Sequence, residues 1–253
     1  MIILGLAGPA GAGKDTVADY LVEAYGFVKF AFSDALYAEV QQAFRLEDQS
    51  LLRDRATKDM PEIRLTARQC EDPVFEQILL GAAEDRSPPV GEWGEHEFSP
   101  RDVLQIWGTE YRRAQDPDYW VKKAAEWILQ TQLMGYPEQR PQFFVECGTR
   151  FENERMWITG AFPFNPALNQ PQWAGNIWHI NRAAIQSTDT HESARPLPIL
   201  PGERQLWNND SLEHLYQGID LLMSTSAPVV RVEPMLPDEK PEKLPGGPYY
   251  APQ

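Results

Sequence analysis

Ile2–Ala7 (IILGLA) is a short, nearly unbroken apolar run that ends in glycine-rich sequence, the pattern of a strand covered on both faces. From Asp15 the period lengthens. Val17 and Leu21 stand four apart, as do Ala18 and Val22, and Gly26 supplies a stop, which predicts a helix. Phe27–Phe32 predicts a second strand, and Leu36, Val40, Ala43 and Phe44 return at helical spacing. Ser99-Pro100-Arg101-Asp102 has the composition of a helix start, with Ser99 as N-cap, Pro100 in the first turn and Asp102 in the capping-box place. Val103, Leu104, Trp107 and Tyr111 continue that helix. "DPDYWVKKAAEWILQ" starts another, with Trp120, Val121, Ala124, Ala125 and Ile128 as its buried side. Gln142–Cys147 (QFFVEC), Asn176–Ile180 (NIWHI) and Arg204–Trp207 (RQLW) predict further strands. Leu212, Leu215, Tyr216, Ile219, Leu222 and Met223 predict the final helix.

Strands alternating with helices argue for an α/β fold, a mostly parallel sheet with helices on both faces. Two stretches interrupt the alternation. Residues 45–98 are charge-rich, contain the loop-like "RSPPVGEWGEHEFSP", and read as an insertion with some helix inside one domain, residues 1–223. Residues 224–253 hold seven prolines in 30 residues and no sustained period, so they read as a poorly ordered or extended tail. There are no internal repeats.

At 253 residues, one sizeable core accounts for the length. The net charge of −14 sets general nucleic-acid binding aside, because a binder of phosphate backbone carries a basic face. It leaves room for a small anion held locally by arginines and backbone N–H groups. The cysteines, Cys70 and Cys147, are isolated, which suits a reducing compartment and offers no zinc spacing. No signal-peptide pattern opens the chain, and no apolar run reaches the roughly 18–20 residues of a membrane helix. The expectation is a cytoplasmic protein with no membrane partner.

"GPAGAGKDT" (Gly8–Thr16) carries the chemistry. Gly8-x-x-x-x-Gly13-Lys14 follows a predicted strand and opens a predicted helix, the context that gives this motif meaning. Glycines let N–H groups approach phosphate oxygens, the helix N-terminus adds partial positive charge, and Lys14 reaches the terminal phosphates. The bland alternative is a glycine-rich turn that binds nothing. Asp15 stands where such loops usually carry a hydroxyl for Mg²⁺. It reads either as a carboxylate at the metal or as a favourable first-turn acid, with Thr16 supplying the hydroxyl.

In one order along the chain, "GKDTVADYL", "RDVLQIWGTE" with "DYWVK", "FVECGTR", "INRAAIQSTDTH" and "WNNDSLEHL" resemble the bacteriophage deoxynucleoside monophosphate kinases. That family belongs to the nucleoside monophosphate kinase group of the P-loop NTPase fold. The resemblance covers residue 3 to about 223 and skips 45–98 and the tail. It implies ATP and Mg²⁺ as cofactors and small nucleotides as partners, and it admits a homodimer. It places Gly8, Ala10, Gly11, Ala12, Gly13, Lys14, Asp15, Thr16 and Asn209 at ATP. It places Ser33, Asp34, Arg101, Gln105, Thr109 and Arg150 at an acceptor nucleotide, in an acceptor-binding region of that family's kind. Lys14, Arg150 and Arg182 become the catalytic cations, since guanidinium forks suit phosphate oxygens. Asp189 and His191 fall in a lid around residues 183–200. Arg101, Gln105 and Thr109 recur every four residues, broadly along one helix face.

The chain departs from the family at three points. Gly148 replaces the acid before Thr-Arg, and Glu146, two residues earlier on the same strand, is the substitute candidate at the metal. Ala194 replaces an acid after the lid histidine, with Glu192 close by. The lysine often found after the second strand is either replaced by Tyr37 or lost. The expected activity is transfer of the ATP γ-phosphoryl group to a deoxynucleoside monophosphate. The rivals are a P-loop kinase for dephospho-coenzyme A or phosphomevalonate, and a nucleotide-dependent switch, although no Asn-Lys-x-Asp segment specifies guanine.

Overall fold

The computed structural model describes residues 1–54, 64–86, 97–134, 143–161, 173–185 and 191–225. Gln142, Asp189, most of the loop-like stretch before Ser99 and the tail beyond Thr225 lie outside them. The chain forms two compact units: Met1–Phe32 with Val121–Gln253, and Ser33–Trp120.

The strands, numbered along the chain, are β1 (Ile2–Ala7), β2 (Val28–Phe30), β3 (Leu65–Thr66), β4 (Glu97–Phe98), β5 (Phe143–Thr149), β6 (Ala174–Asn181) and β7 (Arg204–Trp207). The helices are α1 (Lys14–Tyr25), α2 (Ser33–Ala43), α3 (Ser50–Arg53), α4 (Pro73–Arg86), α5 (Pro100–Gln105), α6 (Tyr119–Met134), α7 (Glu152–Ile158) and α8 (Leu212–Thr225).

The first unit is an α/β layer structure around a five-stranded sheet in the order β2-β5-β1-β6-β7, parallel at every pairing. Side chains alternate across it. Leu4, Leu6, Val145, Trp178, Ile180 and Leu206 pack with α1 and α8 on one face. On the other, Phe30 and Phe144 meet Trp127 of α6, and Phe30 also meets Trp157 of α7. All five strands anticipated for this sheet are present: Ile2–Ala7 and Arg204–Trp207 as expected, the other three with ends shifted by one or two residues. The order places β1 at the centre, and the loop that follows it leaves from the carboxyl ends of the strands. That is the crevice side of an open parallel sheet.

Helix α1 starts after a left-handed Gly13 and stops at a left-handed Gly26, as expected. Its buried face is Val17, Ala18, Leu21 and Tyr25. Val22 faces solvent, because the four-residue step from Ala18 overshoots one turn and carries it off the core side. Asp220 of α8 accepts hydrogen bonds from Tyr20 and Tyr25 of α1, and Tyr20 stacks on Tyr216. Helix α8 continues through Ser224 and Thr225, two residues past its expected end, and Leu212 at its start is exposed.

In the second unit β3 and β4 pair antiparallel. Residues of the stretch read as an insertion build its core: Leu52, Phe75, Leu79 and Phe98 are fully buried beside Val103, Trp107 and Tyr111. Glu39 of α2 gathers donors from Trp107, Arg112 and Tyr119. The Ser99 hydroxyl accepts from the Asp102 N–H, and the Asp102 carboxylate accepts from the Ser99 N–H in return. Ser99→Ala leaves the start of α5 half-capped and is expected to cost about 1 kcal/mol, read as a lower midpoint in denaturant.

Candidate phosphate-binding site

Between β1 and α1 the chain is wound by left-handed glycines, with φ of 139° at Gly8, 81° at Gly11 and 101° at Gly13. At two of these only glycine fits. A Cβ on Gly8 would overlap the Ile180 carbonyl, and one on Gly13 the Asn208 amide. The turn closes through Ala12 N–H to the Pro9 carbonyl (3.2 Å), and it delivers the chain to the N-terminus of α1. Lys14 folds back over the loop, its Nζ donating to the carbonyls of Gly8 (2.8 Å) and Pro9 (2.9 Å). Burial lowers its pKa to about 8, and the nearby Arg150 charge adds to the drop against the acids Asp15 and Glu146. An ammonium in that state gains more than an ordinary lysine from an incoming polyanion. Arg182 reaches the same loop by a long contact to the Gly11 carbonyl (3.5 Å). Arg150 is exposed after β5, with its N–H donating to Glu154.

Asp15 lies exposed in the first turn of α1 and pairs with Lys29 of β2 (3.1 Å), which also holds Asp19 (2.9 Å). Burial would lower the pKa of Lys29, but Cys147, Asp19 and Asp15 together outweigh it and hold the group above its ordinary range. The pattern of sequence carried no sign of this cation, because β2 is short and its partners come from α1.

Glu146 is fully buried on β5. Its carboxylate accepts from Thr149 Oγ1 (2.6 Å), Gly148 N–H (2.9 Å) and Phe32 N–H (3.4 Å). Burial, with the neighbouring Glu154 charge, pushes its pKa to about 8 despite those bonds. In this arrangement the Glu146 carboxylate is taken up by its own donors. Asp15 is exposed beside the loop and paired with Lys29, and is the acid that a loop-bound magnesium ion would meet. Among the described residues no group of three or more His, Cys, Asp or Glu side chains could hold a metal by itself. Phosphate oxygens and water would have to complete the coordination.

At the far edge, Asn208 follows β7. Its side-chain N–H donates to the Ala12 carbonyl (2.9 Å), and its backbone N–H to Asn181 (2.8 Å). Asn209, expected at ATP, instead accepts from the Ala183 N–H (2.8 Å). So of the paired asparagines it is Asn208 that props the loop, and only the tertiary pairing distinguishes them. Asn208→Ala removes the prop and opens space beside Gly13. It is expected to cost about 1 kcal/mol in stability, read as a lower midpoint in denaturant. His191 bonds Ser193 beside it (2.8 Å).

The acceptor candidates Ser33, Asp34, Arg101, Gln105 and Thr109 all belong to the second unit. Arg101, Gln105 and Thr109 are each half-buried. The helix that carries them is not α throughout, since Ile106–Arg113 is π-helical. A four-residue step overshoots a turn in an α-helix and falls short of one in a π-helix. The two drifts oppose each other, so the three residues line up more closely than a continuous α-helix would allow. Asp34 is buried and committed to an ion pair with Arg53 (3.0 Å), so in this arrangement it is not an open acceptor contact.

No family model matches the chain. A protein of Acanthamoeba polyphaga mimivirus, provisionally named a deoxynucleotide monophosphate kinase, is 25% identical over 223 residues, 87% of this chain and 94% of that protein. A solved structure of an unliganded sugar kinase from Janibacter sp. HTCC2649 aligns over 88% of this chain and 93% of its own at 12% identity. Its TM-score of 0.38 carries no inference about function. Among the described residues no helix is long and apolar enough to cross a membrane.

Proposed function

We propose that the protein transfers the γ-phosphoryl group of ATP to a deoxynucleoside 5′-monophosphate, giving the diphosphate and ADP. The observation that carries this is the glycine-wound loop at the carboxyl end of the central strand, with Lys14 folded over it and α1 behind it. The choice of acceptor draws on the mimivirus relative and on the motif order along the chain.

In this reading the loop N–H groups and the α1 N-terminus bind the β- and γ-phosphates, and Lys14 leaves the Gly8 and Pro9 carbonyls for their oxygens. Asp15 and Thr16 would hold a magnesium ion, which supplies charge neutralisation on the triphosphate. Arg150 and Arg182 stabilise charge on the transferred group. An acceptor phosphate oxygen forms the new P–O bond as the bond between Pγ and the β–γ bridging oxygen breaks, and ADP leaves with that electron pair. The acceptor is already anionic, so positioning and charge stabilisation suffice without a general base. Arg101, Gln105 and Thr109 hold the acceptor on the second unit.

The test is incubation with ATP, Mg²⁺ and each nucleoside or deoxynucleoside monophosphate, with separation of the products. Diphosphate from at least one deoxynucleotide is expected, and none from any of them would sink the proposal. Dephospho-coenzyme A and phosphomevalonate in the same assay read out the rival acceptors.

A further inference from the structure

Lys29 lies outside every motif of the chain, yet its ammonium stands beside the phosphate loop. In β2 it pairs with Val145 of β5, on the sheet face that packs against α1, while Phe30 next to it points to the other face. The lysine stem therefore runs beneath α1. Its Nζ meets two acids one helical turn apart, Asp15 in the first turn (3.1 Å) and Asp19 in the next (2.9 Å). The Lys29 side chain is 29% exposed, against 80% for Asp15 and 68% for Asp19. The ammonium is the fixed member of this cluster, and the carboxylates are the members with room to turn.

Two acids on one cation make the arrangement asymmetric. Asp15 follows Lys14 directly at the loop, whereas Asp19 lies a turn further along α1. When Asp15 turns away, Asp19 still neutralises Lys29, so no charge is left without a partner. While Asp15 stays, an ammonium rests on the carboxylate that a divalent ion at the loop would need. A magnesium ion sits about 2.1 Å from its oxygen ligands and carries two charges, so it and the ammonium repel across a shared carboxylate. Exchanging one for the other costs an exposed ion pair, which is a small quantity.

We infer that Lys29 competes with the divalent cation for Asp15, with Asp19 as the residue that keeps the displaced ammonium. Lys29 and Asp19 thereby set how much free Mg²⁺ the loop needs to bind its nucleotide. This rests on the proposed ATP and Mg²⁺ reading of the loop, and its test does not depend on turnover. Calorimetry measures the affinity of an ATP analogue with a non-hydrolysable β–γ bridge, once in EDTA and once in saturating Mg²⁺. The readout is the factor by which Mg²⁺ tightens binding, the coupling between the two ligands. Because it is a ratio within one protein, a general loss of stability or of phosphate affinity cancels. Lys29→Met is expected to raise the factor roughly two- to fivefold, and Lys29→Arg, which keeps the charge, to leave it near native. Asp19→Asn commits the ammonium to Asp15 and is expected to lower the factor. Each effect should need its counterpart: Lys29→Met changes nothing in the Asp15→Asn background, and Asp19→Asn little in the Lys29→Met background.

Four results overturn the inference: an unchanged factor in Lys29→Met, Lys29→Arg behaving like Lys29→Met, the same increase in the Asp15→Asn background, or a native chain whose binding is indifferent to Mg²⁺. A native chain that does not bind the analogue at all overturns the ATP reading together with it. A native chain that shows the coupling through Lys29 but makes no diphosphate overturns the transfer reading and leaves Lys29 assigned.

Discussion

Lys14→Ala is expected to lower kcat roughly 10²–10³-fold while leaving the fold intact. Lys14 supplies mobile positive charge at the loop, and its Nζ rests on two loop carbonyls rather than on an acid that depends on it. The stability side has a definite sign. Burial holds the folded pKa near 8, below the ordinary lysine value of 10.5. Below pH 8 the folded chain carries a charge it disfavours. Stability attributable to Lys14 therefore rises with pH from about 8 to 10.5, and the variant loses that rise. On the proposed function, a bound triphosphate favours the ammonium and reverses the shift. Calorimetry at pH 8.5 in buffers of different ionisation enthalpy should show proton uptake with ATP for the native chain and less for Lys14→Ala. Full turnover in the variant would remove Lys14 from the mechanism.

Glu146→Gln is expected to change how stability depends on pH more than any other single substitution in the sheet. Burial first, and then Glu154, raise the folded pKa from 4.5 to about 8. Between those values the folded chain binds a proton that the unfolded chain has released. Stability therefore falls as pH rises from about 4.5 to 8 and levels off above, by something on the order of 5 kcal/mol across the window. Glutamine cannot ionise, so the variant should show a flat profile there, with a modest uniform loss where its amide meets the Phe32 N–H. Urea unfolding at intervals from pH 5 to 8.5, in EDTA, reads this directly. An unchanged slope in the variant would mean that another group carries the titration.

Most of the sheet was legible because its inner strands are apolar runs bounded by breaks, while Arg204–Trp207 carries only Leu206 and Trp207 as apolar residues; the ends of α1 were legible because Gly13 and Gly26 are where a left-handed turn is needed. The glycine-wound turn between β1 and α1 was legible for the same local reason. What stayed hidden depends on residues far apart. Asn208 touches Ala12 across 196 positions, and nothing near Asn208 separates it from Asn209. Lys29 takes Asp15 from another element, and Arg53 takes Asp34 from another helix. The π-helical turn at Ile106–Arg113 was invisible because its apolar spacing also satisfies an α-helix. Glu146 was read from alternation alone, which gives a side of the strand but not the three donors that close it.

The place of β1 at the centre of the sheet also sets a timetable. It is made well before its two neighbours, β5 and β6, which begin at Phe143 and Ala174. At roughly 5–20 residues per second on a ribosome, the opening apolar run waits on the order of ten seconds or more for a partner. Ser33–Trp120, a contiguous unit, is finished in the meantime. The phosphate loop gains its last support only when Asn208 emerges. A nascent chain halted between Asn181 and Asn208 holds the whole motif with both neighbours of β1 in place, yet lacks that support, whereas one halted before Phe143 leaves an unpaired apolar strand for chaperones to shield.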